Sequence, residues 1–298
     1  MRVSFQDLLA AGKPIVADGG MGTMLFNAGL AAGQSPELWT VERPDVVRGI
    51  HAAYIQAGAQ IILTNTFGGT RIRLGSHALE GQVARLNEAA ARLARAEADA
   101  APGPVAVGGS IGPTGVMLEP LGDLTVEDAA SAFEEQARAL AAGGVDVFWI
   151  ETMADLEEVR AAVTGCRRAS ADLPVVATMT FDTKGRTMMG VTPAQALQAL
   201  NELDLIALGA NCGNGPAEIE AVIEAMHAAS SAPILIAKSN AGMPHIQGDA
   251  TVYDATPQDM AAYAQRVLER GARIVGACCG STPDHIRAIQ SVLQGAES

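Results

Sequence analysis

Eight short apolar runs, each bounded by Gly, Pro or polar residues, recur along the chain at 14–18, 60–65, 104–109, 145–151, 174–180, 205–212, 233–240 and 272–279. Near-continuous apolar runs of this length predict strands of a parallel sheet, which are buried on both faces. Segments with helical spacing separate them, at 44–57, 82–98, 126–142, 155–168, 193–202, 216–229, 257–270 and 283–293. Several of these open with Pro at the first helical position, where its missing N–H costs nothing, and Thr125, Thr192, Thr256 and Thr282 stand where an N-cap is needed. Strand–helix alternation repeated eight times predicts an α/β fold of the (β/α)8 barrel type, one domain over residues 1–298. A doubly wound open sheet would show the same alternation. The count of eight, the lack of a linker-like composition shift and the absence of a Gly-x-Gly-x-x-Gly opening a helix favour closure.

Composition narrows the partners. Hydrophobic residues make up 49 % of the chain but aromatics only 4 %, so the core is built from Ala, Val, Ile and Leu. A formal charge of −13 argues against nucleic acid, which calls for clustered Lys and Arg. No run approaches the ~18 apolar residues of a membrane helix. Asp7 interrupts the N-terminal apolar patch, which does not read as an export signal, and a cytoplasmic location is expected. Four cysteines, Cys166, Cys212, Cys278 and Cys279, are too few for a disulfide framework and read as thiols, metal ligands or catalysts.

In a barrel of this kind the active site is built at the C-terminal ends of the strands. The unusual residues fall there: Asp18 with the turn Gly19, Gly20, Met21, Gly22 and Thr23; Asn65; Glu151; Cys212; Asn240; and Cys278 with Cys279. A lone cysteine reads as a small buried hydrophobe. Three at one end of a barrel, with strands six and eight separated by strand seven alone, match the ligand count of a catalytic zinc site with an open fourth position. Cys278 and Cys279 would face opposite sides of a regular strand, so both reach one ion only if the backbone turns, which Gly280 permits. A redox pair is the competing reading, although adjacent cysteines form a strained disulfide. Cys166, on an outer helix, reads as packing. Asp18 and Glu151 suit an ammonium, and the Gly-rich turn offers amides for a carboxylate, which together suit an α-amino acid. A glycosidase-type acid pair is the alternative for the two carboxylates. The histidines carry weak signals: His51, His227 and His285 fall in helices, His77 and His245 in loops.

The segments 18–25 (DGGMGTML), 64–67 (TNTF), 109–115 (GSIGPTG), Glu151-Thr152, 209–213 (GANCG) and 276–286 (GACCGSTPDHI) resemble the zinc-dependent homocysteine S-methyltransferases. The resemblance runs from about residue 12 to 289. It implies a (β/α)8 barrel, one zinc per chain on Cys212, Cys278 and Cys279, and homocysteine contacts at Asp18, Glu151 and the following turn amides (Gly19, Gly20, Met21, Thr23), with Asn65 beside them. Asn240 matches a position that approaches the zinc in the methionine synthase branch, and 240–244 (NAGMP) is closest to that branch. Homocysteine would then bind as a zinc thiolate and receive a methyl group to give methionine. No cobalamin-binding Asp-x-His-x-x-Gly segment is present, so methylcobalamin would be supplied in trans by a corrinoid protein. Direct transfer from betaine or S-methylmethionine is the alternative, and a non-catalytic barrel that binds homocysteine or zinc is the alternative of another class. Met153-Ala154 stands where relatives carry an aromatic residue, on the donor side.

Overall fold

A computed structural model of the chain describes residues 4–247 and 250–295, so the extreme ends of the expected 1–298 domain lie outside the described residues. Its parallel strands are β1 (Ile15–Val16), β2 (Ile61–Leu63), β3 (Ala106–Ile111), β4 (Val147–Met153), β5 (Val175–Met179), β6 (Ala207–Cys212) and β7 (Leu235–Ser239). A short antiparallel hairpin of β8 (His245–Gln247) and β9 (Ala250–Val252) follows, and β10 (Ala272–Ala277) completes the sheet. The order is β1-β10-β7-β6-β5-β4-β3-β2, each strand beside its successor in the chain. A parallel bridge between Ala17 and Ile61 joins the two ends of that order, which gives a barrel and excludes the doubly wound sheet.

Period-two alternation explains both layers of the core. Ile61, Leu63, Ala106, Val147, Trp149, Val176, Ala207, Ile236 and Ile274 fill the barrel interior, while their neighbours Ile62, Val107, Phe148, Ile150, Val175, Leu208 and Ala237 face the helices. The N-terminal helix Phe5–Ala10 contributes Phe5, Leu8 and Leu9 to the interior cluster, and Phe5 meets Trp149 edge-on at 6.3 Å. The surrounding helices run close to the expected bounds: Pro44–Gln56, Val83–Ala100, Val126–Gly143, Leu156–Ala169, Pro193–Asn201, Pro216–Ala229, Pro257–Glu269 and Pro283–Gly295. Thr125, Thr192 and Thr256 cap as their sequence positions predict, the last two in capping boxes with Gln195 and Asp259. At Thr282 the roles differ, because its N–H donates to His285 Nδ1. The His285 ring thereby serves the helix start, and its Nε2 meets Ala255 O at 3.0 Å.

One strand end differs in a way that matters. The run 272–279 stops being strand at Ala277, because its partner β7 ends at Ser239, whose carbonyl accepts the Cys278 N–H at 2.7 Å. The chain then turns through Gly280 at φ +80°. The hairpin β8–β9 carries no apolar run of its own and escapes a reading based on such runs.

Candidate metal and substrate site

Alternation along the strands also sets the floor of the site. One step above the Trp149 layer, the inward positions of β3, β6 and β7 are Ser110, Asn211 and Lys238, with Glu151 of β4 at the same level. All four are buried, and all but Asn211 line one pocket with Asp18, Gly19, Gly20, Met21, Thr23, Asn65, Cys212, Cys278 and Cys279. The interior thus changes from apolar to polar in a single layer at the C-terminal mouth.

The three thiols converge. Cys212 Sγ lies 3.2 Å from Cys278 Sγ and 4.0 Å from Cys279 Sγ, and all three sulfurs fall within 4.8 Å of one another. A tetrahedral zinc with ~2.3 Å bonds separates its sulfur ligands by about 3.8 Å, so this donor set fits the ion. Two departures from regular backbone make the convergence possible. Cys212 has φ +63°, which swings its side chain out of the β6 alternation. On the other side the turn at Gly280 admits no side chain, since a Cβ there would stand 2.2 Å from Tyr253 Cγ. Hydrogen bonds from Cys212 and then Cys278 hold the Cys279 thiol down to about 3, whereas the hydrogen bond with Cys278 pushes Cys212 well up. Three crowded sulfurs share protons until a cation is supplied. Tyr253, between the hairpin and the next helix, hydrogen-bonds Cys279 as well.

Asparagines brace this arrangement. Asn240 donates from Nδ2 to Gly213 O at 2.7 Å and accepts the Cys279 N–H on Oδ1 at 3.0 Å, so one amide spans both thiol-bearing turns. Asn211 accepts the Thr152 N–H and the Thr178 hydroxyl on Oδ1, each at 2.7 Å, and donates to Thr152 Oγ1. Thr152 is β-branched at φ +62°, a conformation that such a residue holds only when its surroundings impose it.

The acids stand opposite. Asp18 accepts Lys238 Nζ on Oδ1 and the Leu63 N–H on Oδ2, both at 2.7 Å. Glu151 accepts the Ser110 hydroxyl on Oε1. Burial pushes Glu151 up to about 7 and also raises Asp18, with the Lys238 ammonium opposing both. Burial alone would lower Lys238, but Asp18 and Glu151 outweigh it and hold the amine above its ordinary value. The geometry is that of an ion pair.

The remaining expected residues take these positions. Where a Gly-rich turn was expected, Gly20 instead caps a helix, Met21–Asn27; Gly20 donates its N–H to Ser281 Oγ and Thr23 Oγ1 accepts the Gly280 N–H, so this segment is stitched to the cysteine turn. Asn65 donates to Pro36 O and Thr40 Oγ1. Cys166 is fully buried on the helix Leu156–Ala169, away from the cluster, and burial pushes its thiol up. His51 is also fully buried, with both ring nitrogens unpartnered. Lys238, Ser110, Asn211, Ser281 and Tyr253 went unassigned by sequence reasoning. For Lys238 a signal existed, because a lysine inside the apolar run PILIAKSN needs a buried partner.

The chain belongs to the homocysteine S-methyltransferase family, whose model matches residues 15–293. The methionine synthase of Mycobacterium leprae (strain TN) is 34 % identical over 297 residues, covering 95 % of this chain and 24 % of that protein. The methionine synthase of Mycobacterium tuberculosis (strain ATCC 25618 / H37Rv) is 34 % identical over 295 residues, covering 94 % of this chain and 25 % of its own length. This chain therefore spans about a quarter of those relatives. Among solved structures, the metallated form of the homocysteine methyltransferase MmuM from Escherichia coli superposes with a TM-score of 0.80 at 24 % identity, over 95 % of this chain and 98 % of that one. Its oxidized form gives 0.82 at 24 % identity, over 96 % and 98 %. At that identity the likeness speaks for the fold.

Proposed function

We propose that this chain binds L-homocysteine and transfers a methyl group to its sulfur to give methionine, with one zinc held by Cys212, Cys278 and Cys279. The observation that carries the reading is the meeting of three sulfurs from two non-adjacent strand ends in a pocket that also holds two buried acids. When bound, a zinc supplies the positive charge that deprotonates a coordinating thiol, whose ordinary value near ~8.5 would leave it mostly protonated. No separate general base is then required. Glu151, beside the Lys238-paired Asp18, gives the pocket its acidic wall for the substrate ammonium, and next to Gly19 and Gly20 the helix Met21–Asn27 opens with first-turn amides, Met21 and Thr23 among them, for the carboxylate. Asn65 lines the same pocket, and Asn240 supports it by joining the two cysteine turns. Fixing the amino-acid end in this way converts part of the entropic barrier into binding. The sulfur forms its bond to the methyl carbon as the bond to the donor breaks, and the electron pair leaves with the donor.

For the donor we favour methylcobalamin carried by a corrinoid module outside these residues. The 34 % identity to mycobacterial methionine synthases supports that choice, together with the segment 240–244. The working location is taken as the cytoplasm, and no helix among the described residues is long and apolar enough to cross a membrane.

The test is to incubate zinc-loaded protein with homocysteine and, separately, methylcobalamin, betaine, S-methylmethionine and methyltetrahydrofolate, and to measure methionine. Methionine with methylcobalamin is expected, along with about one zinc per chain that is lost on Cys→Ser replacement at positions 212, 278 and 279. Turnover only with betaine or S-methylmethionine would overturn the donor assignment. Homocysteine binding without methionine from any donor would leave a non-catalytic binding barrel.

A further inference from the structure

The pocket already contains an ammonium of its own. Lys238 is 2 % exposed, and its Nζ stands 2.7 Å from Asp18 Oδ1 and 5.7 Å from the centre of the Trp149 ring. A lysine this deep is almost never left without a partner, because a bare charge in a low-dielectric interior is strongly destabilising. Asp18 is equally engaged, with Lys238 on one oxygen and the Leu63 N–H on the other. Glu151 is not: Ser110 takes Oε1, and Oε2 makes no hydrogen bond among the described residues. Of the two acids, Glu151 is the one with an oxygen open to an incoming cation.

We propose that Lys238 determines acceptor specificity: as the internal counter-ion of Asp18 it leaves Glu151 to read the amino group alone, so the site also accepts thiol carboxylic acids that lack the α-ammonium. The inference rests on the homocysteine reading above and deepens it. A count of charges carries it. Without a cation at position 238, two buried carboxylates would wait for one ligand ammonium, and a ligand lacking it would leave both bare. With Lys238 in place such a ligand leaves a single net negative charge, on Glu151, whose Oε1 already accepts the Ser110 hydroxyl. The ligand class is a short ω-mercapto carboxylate, which keeps the sulfur and the carboxylate of homocysteine at the same separation.

The probes are L-homocysteine and 4-mercaptobutanoate, titrated calorimetrically into zinc-loaded protein at neutral pH, and the readout is the ratio of their dissociation constants. In the wild type both bind, the amine-free thiol no more than about a hundredfold more weakly, which corresponds to one charged hydrogen bond. Lys238→Met raises the ratio by on the order of tenfold or more, since the homocysteine ammonium replaces the missing cation while 4-mercaptobutanoate leaves Asp18 bare. The double variant Asp18→Asn/Lys238→Met removes both charges and returns the ratio to the wild-type value. Glu151→Gln, which buries no new charge, brings the ratio towards one. Wild-type protein that binds homocysteine but not 4-mercaptobutanoate overturns the inference, as does an unchanged ratio in Lys238→Met. Should that single variant fail to melt cooperatively, a ratio in Glu151→Gln as large as in the wild type overturns it instead. Failure of the wild type to bind homocysteine at all would strike the proposed function, a result distinct from these.

Discussion

Asn240→Ala tests how the thiols are held. Its amide joins Gly213 O to the Cys279 N–H, with bonds of 2.7 and 3.0 Å, so it ties the turn after β6 to the turn after β10. Each such bond contributes about 0.5–1.5 kcal/mol net, and the pair about 1–3 kcal/mol. The fold itself survives the change. Backbone bonds from Asn240 N to Cys212 O and from Ala241 N to Cys279 O run beside the amide and need no side chain. The loss therefore falls on preorganisation of the three sulfurs. At about 1.4 kcal/mol per factor of ten, zinc affinity should weaken roughly 5- to 150-fold, a range that overlaps the roughly 10–100-fold lost when groups supporting metal ligands are removed. Competition with a chromophoric chelator measures the affinity, and the melting temperature of the metal-free protein serves as control. An affinity within twofold of the wild type would refute the clamp. A collapse of the metal-free melting temperature would show that Asn240 holds the barrel rather than the site.

Glu151 links the site to pH. Its carboxyl is raised from an ordinary value of 4.5 to about 7, so the folded protein favours the protonated form. The stability this contributes is fully present below about 4.5 and is lost as pH rises through about 7. Homocysteine affinity moves the other way, because an ammonium needs the ionised acid, and it should weaken as pH falls below 7. Glu151→Gln should flatten both trends, and a wild type and variant whose melting temperatures run parallel from pH 5 to pH 8 would contradict the raised value. Gly209→Ala would place a Cβ 2.0 Å from Ile236 O on the neighbouring strand, a backbone clash that no rotamer relieves. A loss of about 3 kcal/mol or more is expected by urea denaturation, with weaker zinc binding because Cys212 lies three residues on; a wild-type midpoint would refute it. Cys166→Ala removes one buried sulfur and should cost about 1 kcal/mol while leaving zinc and homocysteine binding intact, so a large loss of zinc would give Cys166 a role at the site.

The architecture was readable because it depends on local periodicity. A parallel strand covered on both faces must be apolar throughout, so PIVAD or VDVFWIE announces itself without knowledge of its neighbours, and Pro after Thr marks the start of a helix. Strand ends are where a barrel exposes polar groups, which drew attention to Asp18, Glu151 and the cysteines. The same reasoning placed Cys278 and Cys279 in the last strand, whereas β10 ends two residues earlier, at Ala277, because its ladder partner stops at Ser239. Pairing across the ring is not periodic and left weaker traces.

From the chain alone came the alternation of strand and helix, the low aromatic content of the core and the position of Cys212, Cys278 and Cys279 at the ends of their runs. Tertiary structure decided which of those ends face one another. Asp18 and Lys238 are 220 residues apart and meet because β1 and β7 flank β10 in a ring of defined order and register. Asn240 reaches two turns because β7 lies between β6 and β10. Periodicity dictates whether a side chain points into a barrel, but only closure of the ring dictates what it meets there.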